Sequence, residues 1–223
     1  MNILITGTNR GIGFSLTRQL SEKGHTLWAV CRQPSEQLQS LASNANVNII
    51  SGVDVTADNA ATLIHEALGT TQLDVLIQNA GILTRESIEN AAPEAITQQF
   101  KVNALAPLTL TIALKKHLTK GSKVALITSR MGSMTDNGSG NYYGYRMSKA
   151  ALNAAGVSLA RDLHGEGIAV ALLHPGFVQT DMVNHAGDIS ADTAAERLIQ
   201  RIEELNIDNT GTFWHSNGEV LPF

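Results

Sequence analysis

The sequence predicts a doubly wound parallel α/β sheet, and two patterns along the chain lead to that fold class. Short apolar runs alternate with longer helical stretches, as strand–helix–strand units do. The apolar runs are continuous rather than alternating, which is typical of parallel strands buried on both faces. Right-handed crossovers would place helices on both faces of a sheet of about seven strands. The predicted strands are residues 2–6, 26–30, 47–50, 75–78, 123–128, 168–173 and 211–214.

The helical stretches between these strands complete the alternation. The polar stretch 136–141 is interpreted as a surface loop, because a long helix follows it in the same pattern. No internal repeat, low-complexity tract or linker interrupts the chain. We therefore expect its 223 residues to form one domain, 1–223. The predicted helices lie near residues 11–23, 35–43, 59–69, 93–119, 143–164 and 190–205.

Composition and charge exclude several classes of protein. The chain has 16 basic and 20 acidic residues and a formal charge of −4, without a basic stripe for nucleic acid. A single cysteine, Cys31, excludes an intrachain disulfide, and no His, Asp or Glu pattern has metal-ligand spacing. No apolar run is long enough to span a membrane, and no basic region precedes the first strand as in a signal peptide. We expect a cytoplasmic protein without metal, membrane or nucleic-acid partners.

A glycine-rich turn follows the first predicted strand. Such a turn exposes backbone N–H groups at the positive end of the next helix, where they bind a pyrophosphate. The alternative is a tight strand–helix turn without a ligand. The spacing Gly-x-x-x-Gly-x-Gly differs from the Gly-x-Gly-x-x-Gly of most dinucleotide enzymes. The turn reads Thr6-Gly7-Thr8-Asn9-Arg10-Gly11-Ile12-Gly13.

The end of the second strand indicates NADP(H) as the nucleotide. A dinucleotide fold that prefers NAD has an acidic residue there, about 20 residues past the glycines. This strand instead ends in Cys31-Arg32. A guanidinium binds a 2′-phosphate through charge-assisted hydrogen bonds, whereas a carboxylate would repel it. We expect Arg32, with Arg10, to bind that phosphate; the alternative for Arg32 is a solvated residue that opens a loop.

Tyr145 and Lys149 form the candidate acid–base pair. They are one helical turn apart, so both side chains project from one helix face. A phenol has a pKa of about 10, too high for acid–base work at neutral pH, and a nearby ammonium would lower it. The alternative is a structural pair, because this spacing is common on helices. Tyr142 and Tyr143 lack a lysine four residues later.

Ser129 and Asn103 complete the candidate catalytic group. Ser129 ends the fifth predicted strand, where ligands of an open α/β sheet bind, and its hydroxyl could stabilise a developing oxyanion. Ser133 is the alternative serine. Asn103 lies four residues before Pro107. Since proline has no N–H, the helix should kink there and leave the Asn103 carbonyl free; the alternative is an ordinary proline-kinked helix.

Four ordered motifs resemble those of the short-chain dehydrogenase/reductase family. The match extends from residue 2 to beyond residue 180. The resemblance implies a Rossmann fold and hydride transfer between NADP(H) and a small carbonyl substrate. The motifs are the glycine-rich turn after Thr6, Asn79-Ala80-Gly81, Tyr145-x-x-x-Lys149, and Pro175-Gly176 with Thr180.

The resemblance also implies roles for individual residues. Ser129, Tyr145 and Lys149 would be catalytic, and Asn103 would hold a water connected to the lysine. NADP-preferring members carry basic residues at the positions of Arg10 and Arg32. For Asp54 a helix-capping role is the alternative to a cofactor contact. The further cofactor contacts would be Asp54 and Val55 at the adenine, Asn79, Ala80 and Gly81 at its ribose, and Pro175, Gly176, Val178 and Thr180 at the nicotinamide end.

Residues 129–133 and the stretch 211–218 are similar to one sub-group of this family, the sniffer-like carbonyl reductases and the C-factor signalling proteins. We expect a small aldehyde, ketone or quinone as substrate. A nucleotide-binding signalling protein of the C-factor type is the alternative function, and a hydro-lyase or epimerase is a third. The family resemblance implies a homodimer or homotetramer. An open, apolar mouth would be lined by Ile82, Leu83, Met131, Phe177 and Met182.

Overall fold

Seven strands form one parallel sheet in residues 1–43 and 46–223, which are the residues that the computed structural model describes. Their order across the sheet is β3-β2-β1-β4-β5-β6-β7, and every neighbouring pair is parallel. The predicted doubly wound fold is confirmed. The strands are β1 (Asn2–Thr6), β2 (Thr26–Val30), β3 (Val47–Ile50), β4 (Leu73–Gln78), β5 (Leu118–Ile127), β6 (Ala169–His174) and β7 (Phe213–His215).

Helices cover both faces of this sheet. On one face, α1, α2 and α7 share a core cluster with Ile3 and Ile5 of β1. On the other face, α3, α5 and α6 share a cluster with Leu4. Among the described helices, none is long and apolar enough to cross a membrane. The helices are α1 (Gly11–Glu22), α2 (Glu36–Ser43), α3 (Ala60–Leu68), α4 (Pro93–Phe100), α5 (Ala106–Ala113), α6 (Tyr143–His164) and α7 (Ala191–Glu204).

The strand order reverses at β1, which pairs with β2 on one side and β4 on the other. In open α/β sheets, ligands bind outside the carboxyl ends of the strands at such a switch point. The Thr6 hydroxyl, at the end of β1, lies 3.3 Å from Gln78 Oε1 at the end of β4. These two strand ends therefore form the floor of the expected binding crevice.

The chain before β5 differs from the prediction. The helix predicted over 93–119 ends earlier, and a 3₁₀ turn, Leu114–His117, leads into β5 at Leu118. Leu118 pairs with Leu73 of β4, and the Ser122 hydroxyl donates to the Leu73 carbonyl at 2.7 Å. Pairing with a distant strand, rather than the local apolar pattern, decides where this helix ends.

A π-helical turn, Lys101–Leu105, joins α4 to α5 next to Pro107. The Ala106 N–H donates to the Lys101 carbonyl, so this turn is one residue wider than an α-helical turn. Where the sequence predicts a kink, the structure has this wider turn around Asn103, and the helical residues continue through it without a break. A free Asn103 carbonyl stays a prediction.

Candidate active site

The glycine-rich turn connects the end of β1 to the start of α1. Gly7 and Gly11 have φ angles of +72° and +55°, in the left-handed region that favours glycine. A Cβ on Gly13 would lie 2.1 Å from the Gly7 carbonyl oxygen, so a side chain has no room there. The N-cap residue, Arg10, makes no side-chain cap to α1. The Arg10 side chain therefore does not accept hydrogen bonds from the first N–H groups of α1. Anionic groups bind at the positive ends of such helices.

Asn79 connects the end of β4 to this turn through hydrogen bonds. Its Nδ2 donates to the carbonyls of Thr6 and Gly7, at 3.0 and 3.1 Å. The backbone N–H groups of Asn79 and Ala80 both donate to the Thr6 hydroxyl. A Cβ on Gly7 would lie 2.8 Å from Ala80 Cα. The structure thus brings the glycine-rich turn and the Asn79-Ala80-Gly81 motif into direct contact.

Other side chains of the turn hold its shape. The Thr8 hydroxyl donates to the Val30 carbonyl at 3.2 Å. Asn9 Oδ1 accepts the Ser35 N–H, and the Ser35 hydroxyl donates to the Asn9 carbonyl at 2.9 Å. Ile12 packs against the core cluster on the α1 face of the sheet. These side chains are engaged by the protein, so the turn would offer mainly its backbone to a ligand.

The two expected phosphate ligands, Arg10 and Arg32, differ in their surroundings. Arg32 is exposed directly after β2. The Arg10 guanidinium is paired with Asp181 at 2.8 Å, a contact between distant parts of the chain that the sequence analysis did not anticipate. Arg10 therefore already has an anionic partner within the protein.

Asp54 caps a turn of its own. Its Oδ1 accepts hydrogen bonds from the N–H and the hydroxyl of Thr56, at 2.9 and 2.7 Å. These bonds, and to a smaller extent the charge of Arg32, lower the pKa of Asp54. Because α3 begins later, Asp54 caps a turn rather than the helix. Val55 beside it packs against the core cluster that includes α3.

Tyr145, Ser129 and Lys149 lie together at the carboxyl end of β5. The Ser129 side chain lowers the pKa of the Tyr145 phenol, so the two side chains are near each other, and the Ser129 Oγ accepts the Met131 N–H at 3.2 Å. Lys149 Nζ lies 5.8 Å from the centroid of the Tyr145 ring. It donates to the carbonyl of Ile127, the last residue of β5, at 2.8 Å. The three predicted catalytic side chains are thus held at one strand end.

The turn after Ser129 packs against α6. A Cβ on Gly132 would lie 2.7 Å from the backbone carbon of Lys149, so only glycine fits there. The Ser133 Oγ accepts the Asp136 N–H at 3.1 Å and so caps the following loop. Of the two candidate serines, Ser129 is the one whose side chain affects the pKa of the tyrosine.

Desolvation dominates the pKa values of Lys149, which is buried, and of Tyr145, which is half-buried. Desolvation raises the pKa of Tyr145 to about 12, and the nearby Ser129 side chain offsets part of this shift. Desolvation lowers the pKa of Lys149 to about 7. A lowering of the Tyr145 pKa by Lys149 stays a prediction: in this arrangement desolvation disfavours both charged forms, and the lysine binds a backbone carbonyl. Tyr145 is protonated at neutral pH and can donate a proton.

Asn103 lies beside the lysine and holds the segment after β4. Its Nδ2 donates to the Ile82 carbonyl at 2.8 Å and to the Ser148 hydroxyl at 3.0 Å. Its Oδ1 accepts the Ile82 N–H at 2.8 Å. A Cβ on Gly81 would lie 3.3 Å from Asn103 Oδ1 and 3.8 Å from Lys149 Nζ. Asn103 and Lys149 therefore face the same glycine.

The loop after β6 reaches back to the start of α1. A Cβ on Gly11 would lie 3.3 Å from Thr180 Cγ2, which places Thr180 against the glycine-rich turn. Val178 is buried, and Gly176, after Pro175, has a φ angle of +99° that requires glycine. The loop predicted to contact the nicotinamide end thus borders the same crevice.

Two acidic residues near the site were missed by the sequence analysis. Asp181 pairs with Arg10, and Glu86 is buried at the start of α6. Neither belongs to a motif of recognisable spacing, so no sequence signal could have found them. In the described part of the chain, no three His, Cys, Asp or Glu side chains cluster so as to hold a metal ion.

The chain belongs to the short chain dehydrogenase family, whose model matches residues 1–191. It is similar to the 1-hydroxy-2-glutathionyl-2-methyl-3-butene dehydrogenase of Rhodococcus sp. (strain AD45), with 35% identity over 99% of both chains. It is also similar to the C-signal of Myxococcus xanthus, with 40% identity over 69% of this chain and 95% of that protein. The protein is therefore an oxidoreductase of this family.

Solved carbonyl reductase structures share the fold. The carbonyl reductase Sniffer of D. melanogaster has a TM-score of 0.89 and 30% identity, covering 100% of this chain and 99% of that one. A carbonyl reductase from Pseudomonas aeruginosa PAO1 in complex with NADP has a TM-score of 0.86 and 34% identity, with the same coverage. The expected family and its sniffer-like and C-factor relatives are confirmed.

Proposed function

We propose that this oxidoreductase reduces a carbonyl group to an alcohol with NADPH, and that residues 1–223 form a single NAD(P)-binding domain. The observation that carries the proposal is the meeting of Tyr145, Ser129 and Lys149 next to the glycine-rich turn. Ala80 touches that turn, and the neighbouring Gly81 faces Lys149. One short loop therefore separates the expected nucleotide site from the expected proton donor.

The residues present fit a dinucleotide with a 2′-phosphate. The close approach of Gly13 to Gly7 leaves the backbone bare at the positive end of α1. Arg32 stands where an NAD-preferring fold has an acid. The NADP complex of the P. aeruginosa relative supports the same cofactor. Arg10 would join Arg32 at the phosphate by leaving Asp181.

The chain's own residues would supply the proton and would orient the carbonyl group and the cofactor. The cofactor, when bound, would supply a hydride to the carbonyl carbon. Tyr145, whose pKa is raised by desolvation, would donate its phenolic proton to the carbonyl oxygen. The Ser129 hydroxyl would donate a hydrogen bond to that oxygen and stabilise its developing charge. Lys149 would bind the cofactor ribose, and Asn103 would hold a water next to the lysine.

Apolar side chains near the crevice support a small apolar aldehyde, ketone or quinone as substrate. Ile82, Leu83 and Met131 are half-buried, whereas Phe177 and Met182 are exposed. These exposures are compatible with an open mouth that has an apolar wall. Since the Rhodococcus relative is named as a dehydrogenase, the reaction should be assayed in both directions.

The similarity to the C-signal of M. xanthus favours a second candidate function, a nucleotide-binding signalling protein of the C-factor type. The placement of Tyr145 favours the enzyme instead. Binding a nucleotide does not require a phenol next to a serine hydroxyl and a lysine ammonium, whereas proton transfer to a carbonyl needs such a proton donor.

Exposed apolar side chains support self-association into a homodimer or homotetramer. Phe100, Leu105 and Ile112 are exposed along α4, the π-helical turn and α5. Large apolar residues grouped on one surface mark interaction sites. Light scattering of the purified protein would give its mass, and a monomeric mass at micromolar concentration would contradict self-association.

The test is oxidation of NADPH and NADH by the purified protein against a panel of aldehydes, ketones and quinones. We expect turnover with NADPH and a loss of about 10²- to 10⁴-fold in Tyr145→Phe, because the proton donor is removed. Tyr143→Phe, at an exposed tyrosine two positions earlier, is the matched control. Wild-type protein that binds NADPH but reduces no carbonyl would favour the signalling function, and full activity of Tyr145→Phe would exclude the proposed proton donor.

A further inference from the structure

A buried carboxylate, Glu86, connects the segment after β4 to the start of α6. Only 4% of Glu86 is exposed, and acidic side chains are rarely buried without partners. Its Oε1 accepts hydrogen bonds from Gln99 Nε2, at 2.7 Å, and from the Thr84 hydroxyl. Its Oε2 accepts the Gly144 N–H at 3.2 Å. Each of these partners donates to Glu86, so both carboxyl oxygens act as hydrogen-bond acceptors.

The first turn of α6 receives its cap from Glu86. Tyr142, which precedes the helix, has a left-handed φ of 55° and provides no side-chain cap. The Glu86 carboxylate binds the N–H of Gly144, and the Glu86 carbonyl accepts the Tyr142 N–H at 2.8 Å. A carboxylate at this end of a helix also interacts favourably with the helix dipole. The start of the helix is thus held by a segment that is distant in sequence.

Tight packing around Gly144 restricts the helix start further. A Cβ on Gly144 would lie 2.2 Å from Gln99 Nε2, so the backbone of α6 lies directly against that side chain. Gln99 is fully buried, and its Oε1 accepts the Thr84 N–H at 3.0 Å. Tyr145 directly follows Gly144. A shift in the first turn of α6 would therefore move the phenol relative to Ser129.

We propose that Glu86 is a positioning residue for Tyr145 and acts by fixing the first turn of α6. The inference rests on the proposed function, because it concerns the placement of the proposed proton donor. Glu86 acts through Gly144 and not on the reacting atoms. A displacement of about 1 Å at a reacting group costs on the order of 100-fold in rate, so loss of this cap slows turnover in an otherwise folded protein.

The test compares Glu86→Ala and Glu86→Gln with Glu89→Ala. Glu89 is an exposed acid of the same segment, bonded to the Ser87 hydroxyl, and serves as the matched control. We expect Glu86→Ala to lower kcat by about 10- to 100-fold, with the KM for NADPH changed by less than about twofold. Glu86→Gln keeps one side-chain oxygen for the surrounding donors and should restore part of kcat. Glu89→Ala should match the wild type.

A second readout does not depend on turnover. Amide hydrogen exchange over residues 143–146 should be faster in Glu86→Ala than in Glu89→Ala, while exchange in the strands stays the same. Unchanged kcat or unchanged exchange in folded Glu86→Ala would overturn the inference. A fall in kcat that equals the loss of NADPH-binding protein would also overturn it, because it would reflect unfolding alone.

Failure of Glu86→Ala to fold and failure of the proposed function can each be distinguished from failure of this inference. If Glu86→Ala does not fold, Glu86→Gln decides by the same two readouts, with wild-type kcat and exchange counting against the inference. If the wild type reduces no carbonyl, the proposed function fails by itself. Exchange over residues 143–146 then decides whether Glu86 holds the start of α6, and equal exchange in both alanine variants overturns that role.

Discussion

The Arg10 guanidinium lies 2.8 Å from the Asp181 carboxylate and joins the glycine-rich turn to the loop after β6. Asp181 also lies 3.0 Å from His185 Nε2. The Arg10 and Asp181 side chains are 73% and 49% exposed, and exposed pairs of this kind contribute about 0.2–1 kcal/mol. A phosphate bound near the turn can therefore compete with Asp181 for the guanidinium.

Asp181→Asn should strengthen NADPH binding by up to about fivefold, because Arg10 no longer has to leave an anionic partner. NADH, which lacks the 2′-phosphate, should bind as before. Fluorescence titration with each nucleotide measures both affinities. Asp188→Asn, in the same loop, is the control. An equal gain for NADH would mean that Arg10 does not bind the 2′-phosphate.

Arg32→Ala should weaken NADPH binding by about 10- to 100-fold, the range for losing a hydrogen bond to a charged group. Binding of NADH should stay unchanged, so the preference for NADPH falls by the same factor. Titration of both nucleotides into the variant tests this, with Arg161→Ala, at an exposed arginine of α6, as the control. If the two nucleotides lose affinity equally, Arg32 supports the loop rather than the phosphate.

Lys149→Met should change how stability depends on pH. The pKa of Lys149 falls from 10.5 to about 7 on folding. Between these two pH values, Lys149 is therefore protonated in the unfolded chain and largely neutral in the folded protein. The free energy of unfolding of the wild type should therefore rise with pH from 7 to 10 relative to Lys149→Met. Tyr145 acts in the opposite sense above pH 10, because folding raises its pKa to about 12.

Urea unfolding of both proteins at several pH values between 7 and 10 measures this difference. The same series on Lys120→Met, at an exposed lysine, controls for general effects of pH. If the difference in free energy of unfolding between the wild type and Lys149→Met stays constant from pH 7 to 10, Lys149 keeps its proton in the folded protein.

Much of the fold and part of the site could be predicted because they depend on short-range patterns. Continuous apolar runs identify strands buried on both faces, as Ile3, Leu4 and Ile5 are in β1. The glycines of the first turn are required by local backbone angles and by close approach within the turn. Tyr145 and Lys149 share a helix face because four residues make about one helical turn.

Other features depend on residues that are far apart in the chain, and no local pattern encodes them. Which serine meets Tyr145 depends on how the turn after β5 packs against α6. Desolvation raises the pKa of Tyr145 and lowers that of Lys149, and it depends on the whole surrounding structure. Arg10 and its partner Asp181 are 171 residues apart, and Glu86 is 58 residues from Gly144, whose N–H it accepts. Short-range patterns thus determine the strands of the sheet and the glycine-rich turn. Long-range packing determines the pKa values, the ion-pair partners and the geometry around the reacting groups.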